Sequence, residues 1–328
     1  MSHAQDPSIV TDRPVVTAGP QPTPAQQAWM GLEFGLFVHF GVNTFNDCEW
    51  SDGSLPAGSF APSGLDAAGW VAVAKAAGMR YVVLVAKHHD GFCLWDTDAS
   101  GYGVRQSPWR GDVIAQVAQA CRDAGLALGL YYSLWDRHAA CYPDDRAYAT
   151  YMQRHLAELL TRYGPICELW FDGGWKKGGV DRQDDAAWHW RACYDLIHAI
   201  QPDCLVADNA TTTYPGRWGM WPVDFRIGEK TVPTDDDRQI WWTGNGGSFL
   251  PYEAAFTLSA GTGKGMFGDG KWFWHEDDRL CQSPAWVRET LSRCRARGAN
   301  LVLNVGPGPD GRLRDVDRSC LEQILALV

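Results

Sequence analysis

An α/β chain folded as a (β/α)8 barrel of the TIM type, with some irregularity in its later strands, is what the sequence predicts. Three observations carry that expectation. Short apolar runs alternate with helical patterns along most of the 328 residues. The runs are continuously apolar, as strands of a parallel sheet covered on both faces must be, rather than alternating. Polar residues gather where the runs end, which is the edge at which such barrels carry their functional groups.

The elements follow in order. Residues 1–24 hold Pro7, Pro14, Pro20, Pro22 and Pro24 with little periodicity, so an extended arm is expected there, and residues 25–328 are expected to form the barrel. A short helix over 25–32 leads to a first strand, Phe34 to Gly41. Helix 66–77, strand 81–86, helix 113–124 and strand 126–133 then set the beat. A long helix over 145–163 enters the pivotal stretch, Ile166-Cys-Glu-Leu-Trp-Phe-Asp-Gly-Gly-Trp175, where an apolar run ends on a carboxylate and breaks at two glycines. Helix 184–200 and strands 204–208, 224–229 and 253–258 follow. A Gly- and aromatic-rich loop over 261–275, a helix over 284–297, a strand over 301–306 and a helix over 316–327 complete the chain. A doubly wound open sheet is the competing architecture, but no G-x-G-x-x-G or P-loop pattern follows any strand.

Composition narrows the partners. A formal net charge of -10 disfavours nucleic acid or an anionic membrane surface and accommodates a neutral small molecule. No run approaches the ~18 apolar residues of a membrane span. The N-terminus lacks the charged-then-apolar pattern of a secretory signal, so a soluble cytoplasmic protein is expected. Ten cysteines include no C-x-x-C pair, and Cys121, Cys193, Cys294 and Cys320 fall in helical patterns, which reads as small buried hydrophobes. The 17 Trp residues suit flat binding faces for sugars as well as ordinary core.

The strand-end polar set is His39, His88 with His89, Tyr131 or Tyr132, Asp172, Asp208, Glu229 and Asn304. A metal site is disfavoured because strand one offers a lone His39, and adjacent His88 and His89 on an extended segment would point in opposite directions. No cofactor is called for. Two carboxyls suffice for glycoside hydrolysis, one attacking the anomeric carbon and one protonating the leaving oxygen. Asp172, short and at a rigid strand tip, suits the nucleophile, with Trp170 and Trp175 as aromatic faces beside it; an Asp there also suits a helix cap. For the acid the sequence offers Glu229 at a strand end and, as second choice, Glu253 at a strand start.

Five segments in order, Phe37-Val-His-Phe-Gly41, Glu49-Trp50, Lys87-His-His-Asp-Gly-Phe92, Leu169-Trp-Phe-Asp-Gly-Gly174 and Asn300-Leu-Val-Leu-Asn-Val-Gly-Pro307, resemble the retaining α-L-fucosidases of glycoside hydrolase family 29. The resemblance covers about residues 28–312. It implies a (β/α)8 barrel that removes terminal α-L-fucose from fucosylated glycans or fucosides through a covalent fucosyl-enzyme. It makes Asp172 the nucleophile and assigns the fucose ring to His39, Glu49, Trp50, His88, His89 and Tyr131, with Trp272 as an aromatic wall. Arg226-Ile-Gly-Glu229 is similar to the acid-bearing R-W-x-G-N-E segment, one residue shorter and preceded by an apparent insertion over 214–222. Glu253 resembles a second acid of the family. Members usually carry a β-sandwich after the barrel; here the last helix closes the sequence, so the expectation is a barrel without it. A glycosidase for a related sugar such as L-galactose and a catalytically silent fucose-binding protein are the alternative functions.

Overall fold

The computed structural model describes residues 19–174, 185–209, 220–234, 240–243, 246–261 and 271–325. Helix α1 (Pro24–Met30) starts at a capping box, in which the Thr23 hydroxyl accepts from Gln26 N and the Gln26 side chain accepts from Thr23 N. Eight parallel strands follow: β1 (Phe34–Val38), β2 (Tyr81–Lys87), β3 (Ala127–Ser133), β4 (Glu168–Asp172), β5 (Leu205–Asp208), β6 (Arg226–Glu229), β9 (Tyr252–Thr257) and β10 (Asn300–Val305). They hydrogen-bond in the order β5-β4-β3-β2-β1-β10-β9-β6. The two ends of that row, β5 and β6, meet at a seam closed by the bond from Asp224 N to Val206 O (2.7 Å), so the row is a nearly closed barrel.

Helices α2 (Ala67–Ala76), α3 (Val113–Ala124), α4 (Asp145–Arg162), α5 (Trp190–Ile200) and α6 (Pro284–Arg295) are crossovers, and α7 (Asp315–Leu325) follows the last strand. Asp66, Asp112, Asp144 and Ser283 cap four of them by accepting a backbone N–H three residues on. Their apolar faces and the outward side chains of the strands form one continuous buried layer that includes Trp70, Trp95 and Trp190. Much of the tryptophan excess is therefore core. All ten cysteines are free thiols, and the four in helices are buried. Among the described residues no helix is long and apolar enough to cross a membrane.

Strand periodicity makes a second, separate core inside the barrel, built from Phe37, Tyr81, Val83, Val85, Tyr131, Trp170, Ile227, Ala255 and Val302. Its N-terminal end is plugged by α1, whose Trp29 packs on Phe225 (4.7 Å between centroids) and donates its indole N–H to Glu168. Gly35 leaves room for the Tyr81 ring there: a Cβ would lie 2.6 Å from it.

An antiparallel hairpin, β7 (Ile240–Thr243) with β8 (Gly246–Phe249), stands where no element was expected. Its signal was present, since the sequence Gly244-Asn245 stands between the paired Thr243 and Gly246. The expected helix over 184–200 is divided, a 3-10 turn at Asp185–Trp188 giving way to α5 after His189 at φ 48°. Of the expected arm, residues 1–18 lie outside the described residues.

Lys87 ends β2 on its outer face and is fully buried, with Nζ 2.9 Å from Asp136 Oδ2 and 3.2 Å from the Tyr148 hydroxyl. Asp136 in turn accepts from His138 N and Ala139 N, so this ion pair shapes the loop after β3. Removing the cation strands a buried carboxylate. Lys87→Met is expected to destabilise the fold by ~3–5 kcal/mol, read from urea unfolding, and pairing it with Asp136→Asn should recover most of the loss. A single mutant with an unchanged midpoint would show that the pair contributes nothing.

Candidate active site

The inward face of the strands delivers a polar group at several C-terminal ends. Asp172 follows Trp170 by two residues on β4 and so shares its inward direction. Glu229 follows Ile227 on β6, and Asn304 follows Val302 on β10, in the same way. The same rule separates the two tyrosines of β3. Tyr131 faces inward, while Tyr132 faces the helices, its hydroxyl 2.9 Å from His155 Nδ1. Asp208 pairs in register with outward Phe171 and therefore faces the helix layer.

Asp172 is buried among donors. Its Oδ2 accepts from the Tyr131 hydroxyl (2.9 Å) and lies 3.6 Å from His89 Nε2; its Oδ1 accepts from Gly173 N (2.7 Å) and from Asn209 Nδ2 (3.2 Å). An N–H of Asn209 also reaches Glu229 Oε2 at 2.9 Å. Both carboxylate oxygens contact the same amide nitrogen, so they stand no farther apart than those two contacts together allow.

Burial raises the pKa of Asp172 above the ordinary Asp value, although Tyr131, Gly173 and Asn209 oppose the shift. Glu229 is raised by burial first and by the Asp172 charge second, and Asn209 and Lys230 oppose it. Lys230 does turn toward the site, its Nζ 6.0 Å from the Trp272 ring centre, but burial and the Asp172 charge outweigh it. Like charges this close favour one proton shared between two carboxyls.

The imidazoles correct one expectation. His88 and His89 do not diverge: their ring centres are 4.2 Å apart. The strand ends at Lys87, and the chain turns back at once, with Gly91 N bonded to His88 O at 3.0 Å, so the alternation of an extended segment no longer applies. His88 stacks on Tyr131, and His89 Nδ1 is fixed by Ser133 Oγ at 2.6 Å. His39 Nδ1 is fixed by Asn304 Oδ1 at 2.7 Å. Burial, and second the His88 ring, lower the pKa of His39 and His89, so both are neutral hydrogen-bonding groups near pH 7. Among the described residues no cluster of three or more His, Cys, Asp and Glu is placed to hold a metal ion.

The rim is aromatic. Trp50 meets His89 edge-on at 5.5 Å and Trp135 at 6.1 Å, and Trp272 lies 5.0 Å from His39. Glu49 is engaged by the protein: its carboxylate accepts from Trp272 N and Phe273 N and lies 2.8 Å from His275 Nε2, which fastens the Trp272 segment over the site. Trp170 lies beneath the site, stacked under Tyr131 at 5.4 Å with its N–H turned away toward Glu253. Trp175 and most of the 214–222 insertion lie outside the described residues. The sequence reading missed Asn209 and also Asp90, which accepts from Asn43 Nδ2 (2.6 Å) and Ser51 N (2.7 Å) and so holds the Glu49–Trp50 loop. Asp90 stood in the Lys87–Phe92 segment, but nothing local marks its partner 47 residues away.

Glu253 is not beside Asp172. It opens its strand opposite Asn300 and is wholly buried at the N-terminal end of the barrel, accepting from the Tyr81 hydroxyl (2.6 Å) and Trp170 Nε1 (3.1 Å). The Phe37, Tyr131 and Trp170 layer separates it from Asp172 and Glu229.

A parallel barrel with two close, inward carboxyls at its C-terminal end and an aromatic rim defines a two-carboxylate site on a TIM-type scaffold. The comparisons give the family: the model described as Alpha-L-fucosidase matches residues 16–326, and the chain belongs to that family. Alpha-L-fucosidase 1 of Arabidopsis thaliana is 34% identical over 93% of this chain and 59% of its own length. The crystal structure of a glycoside hydrolase 29 family member from an unknown rumen bacterium is 30% identical, with TM-score 0.77 over 94% of this chain and 57% of its own. Alpha-L-fucosidase isoenzyme 1 from Paenibacillus thiaminolyticus is 28% identical, with TM-score 0.76 over 93% of this chain and 75% of its own. The chain thus spans about six-tenths of the plant relative.

Burial pushes the Glu253 carboxyl up to about 8, against the donors Tyr81 and Trp170. A carboxyl raised on folding favours the folded state fully below its unfolded value near 4.5, and that contribution is lost as pH rises toward 8. Glu253→Gln should therefore match the wild-type unfolding temperature near pH 4.5 and exceed it by a few degrees at pH 8. Parallel temperature–pH curves for the two proteins would disprove the shift.

Proposed function

We propose that this chain is an exo-acting retaining α-L-fucosidase that hydrolyses terminal α-L-fucose from glycosides or oligosaccharides by double displacement. The observation that carries the reading is that Asp172 and Glu229 share one amide donor, Asn209 Nδ2, at 3.2 Å and 2.9 Å, which holds their oxygens closer together than the ~6.5–9.5 Å at which an inverting enzyme keeps a water between its carboxyls. Membership in the family supports the choice of sugar. In this reading Asp172 is the nucleophile. Tyr131, Gly173 and Asn209 orient it toward the anomeric carbon. Glu229 keeps its proton because the site is desolvated and Asp172 is ionised, gives it to the leaving oxygen, and takes one back from water in the second step. His39 and His89 hold sugar hydroxyls as neutral imidazoles with His88 beside them, and Trp50 and Trp272 close on the apolar faces of the ring. Glu49 acts at least in part by fixing Trp272, and Trp170 as the floor.

Asp172→Gly should lose turnover of a nitrophenyl α-L-fucoside by ~10⁴-fold or more while keeping its unfolding temperature, and azide or formate should restore part of it. Near wild-type turnover would remove Asp172 from the role. The acid is tested through the leaving group. Glu229→Ala is expected to lose most activity on a fucosylated oligosaccharide, to retain a larger share on the nitrophenyl fucoside, and to yield fucosyl azide of retained configuration when azide is added. If Glu253→Ala behaves this way and Glu229→Ala does not, the assignment is reversed.

A further inference from the structure

The barrel row is interrupted once, at the seam between β5 and β6, and Asp172 and Glu229 lie on opposite sides of it. Below them the seam is held by Asp224, whose N–H donates to Val206 O (2.7 Å) and whose Oδ2 accepts from Val206 N (2.9 Å). Among the described residues no strand ladder fixes the distance between the tips of β4 and β6. Asn209, the first residue after β5, is the group that spans it, through its contacts of 3.2 Å and 2.9 Å with the two carboxyls. Since an ionised carboxylate only accepts, the amide nitrogen rather than the oxygen must face them.

Resting on the retaining reading above, we infer that Asn209 is a positioning residue that sets the separation of the two carboxyls and stays bonded to the negative charge as it passes from one to the other. Before reaction the charge is on Asp172 and the proton on Glu229. When an Asp172 oxygen bonds to the anomeric carbon, the bond from that carbon to the leaving oxygen breaks, and the Glu229 proton goes to that oxygen. Asp172 is then a neutral ester and Glu229 the carboxylate. The pair carries one charge throughout, and one amide faces both its origin and its destination, so no donor has to move during the step. Binding of the amide to Glu229 Oε2 also directs the transferable proton to Oε1, the oxygen left for the leaving group.

Other groups act on the same two carboxyls. Tyr131 from β3, Gly173 N, His88 and His89 after β2, and Lys230 after β6 all face Asp172 or Glu229. They remain in an Asn209 variant, so a change in the pH profile belongs to the amide. Removing a donor from a carboxylate favours its protonated form. Asn209→Ala should therefore move both limbs of the kcat/KM profile on a nitrophenyl fucoside to higher pH and lower kcat/KM by ~100-fold, as expected for a misplaced pair. Asn209→Asp, isosteric but turning a third carboxylate on the pair, should be worse than Ala. A residue that only fills space would give the opposite order and leave the limbs where they were, and either result would overturn the inference. Asn209→Ser, which keeps a short donor, serves if Ala does not fold, and smaller shifts in the same direction are expected.

The same displacement is read without turnover. Infrared difference titration of the carboxyl bands, assigned with Asp172→Asn and Glu229→Gln, should show both carboxyls of the Asn209→Ala protein losing their protons at higher pH than in the wild type. Unchanged titration refutes the role of Asn209. A wild type that cleaves no fucoside refutes the proposed activity instead, while the titration still decides the amide.

Discussion

In a barrel of eight parallel strands every second side chain must share one narrow interior with its neighbours from the other strands, and most of the molecule follows from how that space is filled. At the N-terminal end glycine at position 35 admits the Tyr81 ring, and Trp29 of α1 closes the opening. In the middle, Phe37, Tyr131 and Trp170 pack as an aromatic layer. Above it the same alternation aims Asp172, Glu229 and Asn304 into a shared cleft. The site is the uppermost layer of the core, left polar.

Two carboxyl pairs occupy this one interior, and their surroundings set them apart. Glu168 and Glu253 lie under the aromatic layer, each raised most by burial, with the Glu253 charge the next cause for Glu168. Indole and phenol donors from Trp29, Trp170 and Tyr81 hold them as a sealed structural pair. Asp172 and Glu229 lie toward the rim, and there burial, with the Asp172 charge added for Glu229, works against donors from Tyr131, Gly173 and Asn209. Trp170 joins the two ends: its ring underlies Tyr131, and its N–H reaches down to Glu253.

The loops above the barrel are fastened by buried polar groups rather than by apolar packing alone. Asp90 ties the segment after β1 to the end of β2, Glu49 ties that segment to Trp272, and Lys87 with Asp136 shapes the turn that carries Trp135. Three of these four residues lie in the segments by which the sequence resembles its family, yet none needs to touch a sugar to matter. Motif residues of this kind hold the rim in place.

The sequence by itself determined the eight strands, the crossover helices, the parallel barrel and the placing of Asp172 at a strand tip. Each of these is written in contiguous residues: an apolar run, a capping aspartate, a pair of glycines. It also determined that Tyr131 and Tyr132 take opposite faces, but not which was inward. Only the tertiary structure decided that, because direction depends on which face of the strand the helices cover. It likewise decided that Glu253 lies at the far end of the barrel, that His88 and His89 stand side by side, and that Asn209 joins Asp172 to Glu229. Those contacts link residues 83, 37 and 20 positions apart for Trp170–Glu253, Asn209–Asp172 and Asn209–Glu229. A local pattern cannot encode them, since their lengths and angles come from the register of strands brought together only when the barrel closes.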